Sequence, residues 1–224
     1  ATSPRWALAL FGALPFLRTG AIVEPALTML QSPEELLTAE ALADREGFQE
    51  VAARILRRRG RLESVPALVP LLSSDHPDLR EEGERALQTI TNHRFKRSVT
   101  SRRARDRKRA VRAWETLAEE IKGRPWTDVL VEGFRQQGTR LPSPLEGKVA
   151  VEALLPLLRK KERAQQINAS RLLSAVTSHP VDAYHRRSRR LVRHWNRWWA
   201  TDGPNWLRSV EFTGPPAEDS AESP

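Results

Sequence analysis

The apolar positions of this chain follow a pattern that occurs twice. From Val65 to His93, leucine and alanine recur at intervals of three and four, and Val151 to His179 repeats the segment without a gap, 86 positions on. Ten of the 29 aligned positions are identical: Val65, Ala67, Leu68, Pro70, Leu71, Leu72, Arg85, Leu87, Thr91 and His93 match Val151, Ala153, Leu154, Pro156, Leu157, Leu158, Arg171, Leu173, Thr177 and His179. The spacing of Leu68, Leu71 and Leu72, like that of Leu154, Leu157 and Leu158, predicts a first helix. Ser73 to His76 then interrupts the first copy, and Pro77 suits the opening turn of a second helix. That second helix sets Leu79, Gly83, Ala86, Leu87 and Ile90 on one face, against Ile167, Ala169, Leu172, Leu173 and Val176 in the other copy. Two amphipathic helices joined by a short turn make an antiparallel hairpin. A fixed period marks stacked units, none of which buries its apolar face alone.

Pro70 and Pro156 stand inside the first helices, where proline ordinarily costs about 3 kcal/mol. Their recurrence predicts a kink or an early-turn position that the architecture uses. The run Pro66-Ala67-Leu68-Val69-Pro70-Leu71-Leu72, a polar turn, then Leu79-Arg80 and Ala86-Leu87, resembles a HEAT repeat. A degenerate third copy lies upstream, with Gly20, Pro25, Ala26, Leu27, Leu30 and Ser32 in the places of Gly60, Pro66, Ala67, Leu68, Leu71 and Ser73. After each main copy comes a basic stretch and a tryptophan-bearing segment. These are Val111 to Trp114 then Trp126-Thr127-Asp128, and Val192 to Trp195 with Trp198 and Trp199, then Trp206-Leu207. That composite resembles uncharacterised bacterial HEAT-repeat proteins with an added tryptophan-bearing helix. The resemblance implies an all-α fold, an α-solenoid of HEAT-like helical hairpins over residues 1–212. Its units lie near 6–32, 47–93, 104–137, 147–179 and 186–207, and a disordered tail over 213–224 is expected from its Pro, Glu, Ser and Ala content.

Composition agrees with helices: aliphatic residues dominate, with only 11 Gly and one Tyr in 224 residues. Cysteine is missing, which removes disulfides, thiolate metal sites and cysteine nucleophiles. The longest uncharged apolar run, Trp6 to Leu17, is shorter than the roughly 20 residues of a membrane-spanning helix, so none is expected. The run has the length of a signal-peptide core but lacks a clean small-residue cleavage site. A cytoplasmic setting is therefore slightly favoured, and a secreted or periplasmic one follows if the run is a targeting segment.

The net charge of +9 is local. Ten basic residues and one acid lie between Arg94 and Arg112, and six basic residues with no acid between Arg186 and Arg197. Without these two stretches the chain carries 21 basic and 27 acidic residues, so all the excess positive charge sits in them. Arg102, Arg103, Arg105, Arg107, Lys108, Arg109 and Arg112 in one stretch, and Arg186, Arg187, Arg189, Arg190, Arg193 and Arg197 in the other, are candidates for binding a partner or polyanion. A merely solvated helix face or loop is the plainer explanation of such runs. Two stretches one repeat apart would, in a solenoid, fall on the same side and merge.

Seven tryptophans are many for this length. Trp195, Trp198 and Trp199 form a helical stripe, and Trp114, Leu117 and Ala118 repeat the spacing. Trp114, Trp126, Trp195, Trp198, Trp199 and Trp206 read as structural, although stacking on bases or forming an interface hot spot uses the same residue type. His93 and His179 end the second helices, where an imidazolium complements the helix dipole. Neither has a second ligand at close helical spacing, and His185 and His194 are ringed by arginine, so no metal or other cofactor is expected. Phosphate-cradling glycine loops and a G-x-S-x-G elbow are missing from the sequence.

The resulting expectation is a non-catalytic scaffold that binds another macromolecule, with protein the first choice of partner. A nucleic-acid-binding module using the arginine stretches is the alternative. Its enzymatic extreme is a likeness to HEAT-like alkylpurine DNA glycosylases, none of whose motifs is matched residue by residue. Peripheral contact with an anionic membrane is a weaker third reading.

Overall fold

A computed structural model describes residues 22–37, 41–183 and 187–212. All regular structure among them is helical, with no strand. The chain divides into two compact units, Ala1–Arg140 and Leu141–Pro224. The expected segments before residue 22 and after residue 212, together with Arg186, lie outside the described residues.

The first unit runs α1 (Val23–Gln31), α2 (Arg45–Arg59), a short α3 (Val65–Leu68), α4 (Pro77–Thr91), α5 (Ala104–Glu120) and α6 (Trp126–Gln136). Helix α2 packs on both α1 and α4, burying Phe48, Ala52, Ile55 and Leu56 on the way. Helix α4 turns its predicted face inward, with Leu79, Ala86, Leu87 and Ile90 all buried. The second unit runs α7 (Gly147–Leu154), α8 (Arg163–Thr177), α9 (Ser188–Thr201) and α10 (Gly203–Phe212). Its buried set includes Val151, Leu154, Leu158, Leu172, Leu173, Leu191 and Trp195.

The repeated prolines mark a change of helix type. Backbone geometry passes from α to 3₁₀ at Val69–Ser73 in the first unit and at Leu155–Arg159 in the second, with Pro70 and Pro156 each second in the tighter segment. Proline lacks the N–H that an α-turn needs and its ring crowds the carbonyl four residues back, so a 3₁₀ turn is the relaxed continuation. The turn that follows is tied down from the second helix. The Arg80 Nη1 donates to the carbonyls of Ser74 at 2.7 Å and Asp75 at 3.0 Å, and in the other copy Gln166 Nε2 donates to Lys160 O at 2.6 Å. Arg80 and Gln166 are 86 apart, so two different side chains perform one task.

The far ends of α4 and α8 also match. Thr91 Oγ1 donates to Leu87 O at 2.8 Å and Thr177 Oγ1 to Leu173 O at 2.7 Å. The next residues, Asn92 and Ser178, take left-handed φ values of 60° and 53°, which end the helix. The backbone N–H of His93 and of His179 then closes onto the threonine oxygen at 3.2 and 3.3 Å.

Helix α6 is clamped onto this end of α4. Trp126 Nε1 donates to Ile90 O at 3.1 Å, the Arg94 N–H to Gln136 Oε1 at 2.9 Å, and Gln137 Nε2 to Asn92 O. The approach is close enough that a Cβ on Gly133 would stand 2.6 Å from Asn92 O and 2.8 Å from Thr91 O. Only glycine fits there.

In each unit the helix after the basic stretch lies on the 3₁₀ segment, α5 on Val69–Ser73 and α9 on Leu155–Arg159. The basic stretches are therefore partly helical themselves. Helix α5 begins at Ala104 and α9 at Ser188, inside the arginine runs. Trp206 does not open its helix, which starts at Gly203.

Candidate functional site

The two arginine-rich helices share a plan and differ in charge balance. Each buries an apolar row at intervals of four and three: Ala110, Trp114 and Leu117 in α5; Leu191, Trp195 and Trp198 in α9. Their tryptophans are anchored at equivalent places on the preceding helix. Trp114 Nε1 reaches Glu84 Oε1 at 3.5 Å and Trp195 Nε1 donates to Ser170 Oγ at 2.8 Å, and residues 84 and 170 are again 86 apart. Trp114 also meets Phe95 edge to face, with ring centres 4.8 Å apart. Trp126, Trp199 and Trp206 are half-buried, with Trp206 6.0 Å from Trp198 and 6.4 Å from Trp199 between ring centres. The tryptophans form packing clusters in their respective units, not one free stripe.

In α5 and its approach, Arg102, Arg103, Arg105, Lys108, Arg109 and Arg112 are exposed. Arg107 is different: its guanidinium folds back to the carbonyls of Ser101 at 3.0 Å and Arg102 at 3.1 Å. Asp106 in the first turn pairs with Arg97 at 3.0 Å. The outward row that starts with Lys108 and Arg112 continues into Glu115 and Glu119, so the helix carries its own counter-charge.

Helix α9 has none. Ser188–Thr201 contains no acidic residue, and Arg187, Arg189, Arg190, Arg193 and Arg197 are all exposed. Arg190, Arg193 and Arg197, at i, i+3 and i+7, make one row about 10 Å long beside the buried tryptophan face. Three of the five arginines cluster at the helix N-terminus, where the dipole is positive and a cation is unfavourable by about 0.3–1 kcal/mol. Folding gains nothing from that placement. A groove of about 200 Å³ follows the row, lined by Arg190, Arg193, His194 and Arg197.

His194 was not foreseen as part of this surface. Its Nε2 lies 3.2 Å from Nε2 of His179 with ring centres 5.4 Å apart, a distance at which one ring can donate and the other accept. The other side of His179 rests on Trp198, ring centres 5.3 Å apart and 23° from parallel. Sequence spacing gave no hint of this, because His179 comes from the repeat and His194 from the next helix. No group of three or more metal-ligating side chains occurs among the described residues.

His93 corrects an expectation. It is buried, and burial lowers its pKa below the ordinary imidazole range, so it serves as a neutral ring instead of an imidazolium facing the dipole. Its Nδ1 lies 2.9 Å from Thr91 O; a carbonyl only accepts, which places the proton on Nδ1. Two carboxylates are also buried. Glu84 accepts from Ser98 Oγ and faces Trp114, while burial raises the pKa of Glu82 despite Arg57 at 3.1 Å. Both tie helices together and neither lines the α9 grooves.

Large apolar side chains left exposed among the described residues are Leu36 in the first unit and Val149 and Val210 in the second. No helix among the described residues is long and apolar enough to cross a membrane. No family model matches the chain, and no curated protein or solved structure matches it.

Proposed function

We propose that this chain is a non-catalytic, HEAT-like helical-repeat scaffold that binds an acidic segment of a partner protein along α9. The observation that carries the reading is the row Arg190, Arg193 and Arg197, exposed on a helix with no acid of its own, whose N-terminus adds Arg187 and Arg189 beside Arg190 where a cation is unfavourable for folding. Charge that the fold does not use is available for a ligand. The scarcity of exposed large apolar side chains among the described residues supports recognition led by charge.

A second reading has support in the same row, since guanidinium groups bind phosphate as well as carboxylate. The two readings separate by titration of the intact chain against poly-glutamate, duplex DNA and single-stranded RNA at low and physiological salt. The protein-partner reading expects binding to poly-glutamate that weakens with salt. Binding to nucleic acid alone, with a steep salt slope, would replace it by the nucleic-acid reading. If none of the three binds at low salt, both readings fail.

A further inference from the structure

A second and larger groove runs along α9, about 650 Å³ in volume, between that helix, the 3₁₀ segment Leu155–Arg159 and α8. We infer that it receives one bulky aliphatic side chain from an acidic peptide segment whose carboxylates lie along the arginine row. The inference rests on the protein-partner reading and gives it a specificity element.

The groove is built from Leu158, Arg159, Gln166, Arg189, Val192 and Arg193, with Ser188 at its end. Leu158 is fully buried at its base and Val192 is half-buried, so the reachable apolar surface is Val192 and the methylene stems of the three arginines. Its polar wall is already satisfied. Gln166 Nε2 donates to Lys160 O at 2.6 Å, and its Oε1 accepts from Ser188 Oγ at 2.6 Å and Arg163 Nη1 at 3.1 Å. An occupant therefore gains little by hydrogen bonding to the wall and much by filling the floor.

Size and charge choose the occupant. The stretch of α9 along the groove, Ser188 to Arg193, covers about 8 Å of helix axis, too short to lay out a lipid chain. Among the described residues the rim carries three guanidinium groups and no carboxylate. Arg193 also lines the narrower groove with Arg190, His194 and Arg197, so an apolar seat and a cationic row adjoin through one residue. A peptide with an aliphatic anchor between acidic residues complements both. Nucleic acid does not, because no described residue lining the seat has an aromatic ring on which a base would stack.

The test uses the intact chain and two fluorescein-labelled twelve-residue glutamate-rich peptides that differ only by one central leucine or alanine. The leucine peptide is expected to bind about five- to tenfold more tightly, as a few buried methylene groups allow. In Val192→Lys, which adds positive charge while spoiling the floor, that preference is expected to vanish. Melting followed by circular dichroism confirms that the variant is folded, and the peptide pair on the unaltered protein decides the matter if it is not. Equal affinities of the unaltered protein for the two peptides would overturn the anchor and leave the charge-led reading intact. A preference that survives in folded Val192→Lys would also overturn it. Binding of neither peptide at low salt would overturn the underlying reading as well.

Discussion

His93 shows how a single residue sets a pH dependence. Its folded-state pKa is lowered by burial, so as pH falls through the ordinary value of about 6.5 the unfolded chain takes up a proton that the folded chain refuses. The unfolded state then binds more protons, and stability falls with acidification. Urea unfolding at pH 7 and pH 5.5 should show a loss of stability that is smaller in His93→Asn, whose amide can still donate to Thr91 O. Ser178 offers the opposite case, a side chain held at a φ of 53° where an L-residue is strained by about 1–2 kcal/mol. After the entropy that glycine costs, Ser178→Gly should raise stability by about 0.5–1 kcal/mol. Gly133→Ala should lower it by about 1–3 kcal/mol, because the added Cβ would meet the backbone of Asn92 and Thr91 and lift α6 off α4; thermal denaturation checks both. None of these roles was legible beforehand. Thr91 and His93 stood out as identical to Thr177 and His179, but their partners are main-chain atoms, which leave no residue code.

The helices themselves were legible, because apolar spacing of three and four survives in both copies. Leu71 and Leu157 are each 5% exposed, so Leu71→Ala and Leu157→Ala should each cost about 2–5 kcal/mol in chemical denaturation, and an unshifted transition in either would show that side chain to be dispensable. Pro70 and Pro156 announced a departure from the regular helix, and the structure makes it a 3₁₀ segment. At the starts of α5 and α9 arginine, which has good helix propensity, breaks up the apolar signal. The equivalence of Arg80 with Gln166 was hidden for another reason: two residue types that both donate to a turn carbonyl do not align as identical. The grooves along α9 escaped notice because Leu158, Gln166 and Val192 come from three separate segments.

For the whole molecule, charge asymmetry was readable from the sequence, which gave the two basic stretches equal standing. The structure distinguishes them. Helix α5 balances its cations with Glu115, Glu119 and Glu120, and Arg107 serves a turn, whereas α9 presents its arginines without any acid. Partner binding along α9 is tested by reversing charge on one helix at a time. In titrations with poly-glutamate at low salt, Arg190→Glu/Arg193→Glu/Arg197→Glu should weaken binding by at least about tenfold with little change in melting temperature, since exposed charges add little to stability. Arg105→Glu/Lys108→Glu/Arg112→Glu should weaken it by no more than about threefold, the long-range share expected from a screened field. Losses of equal size from the two triple variants, or a loss confined to the α5 variant, would show that α9 is not the binding surface.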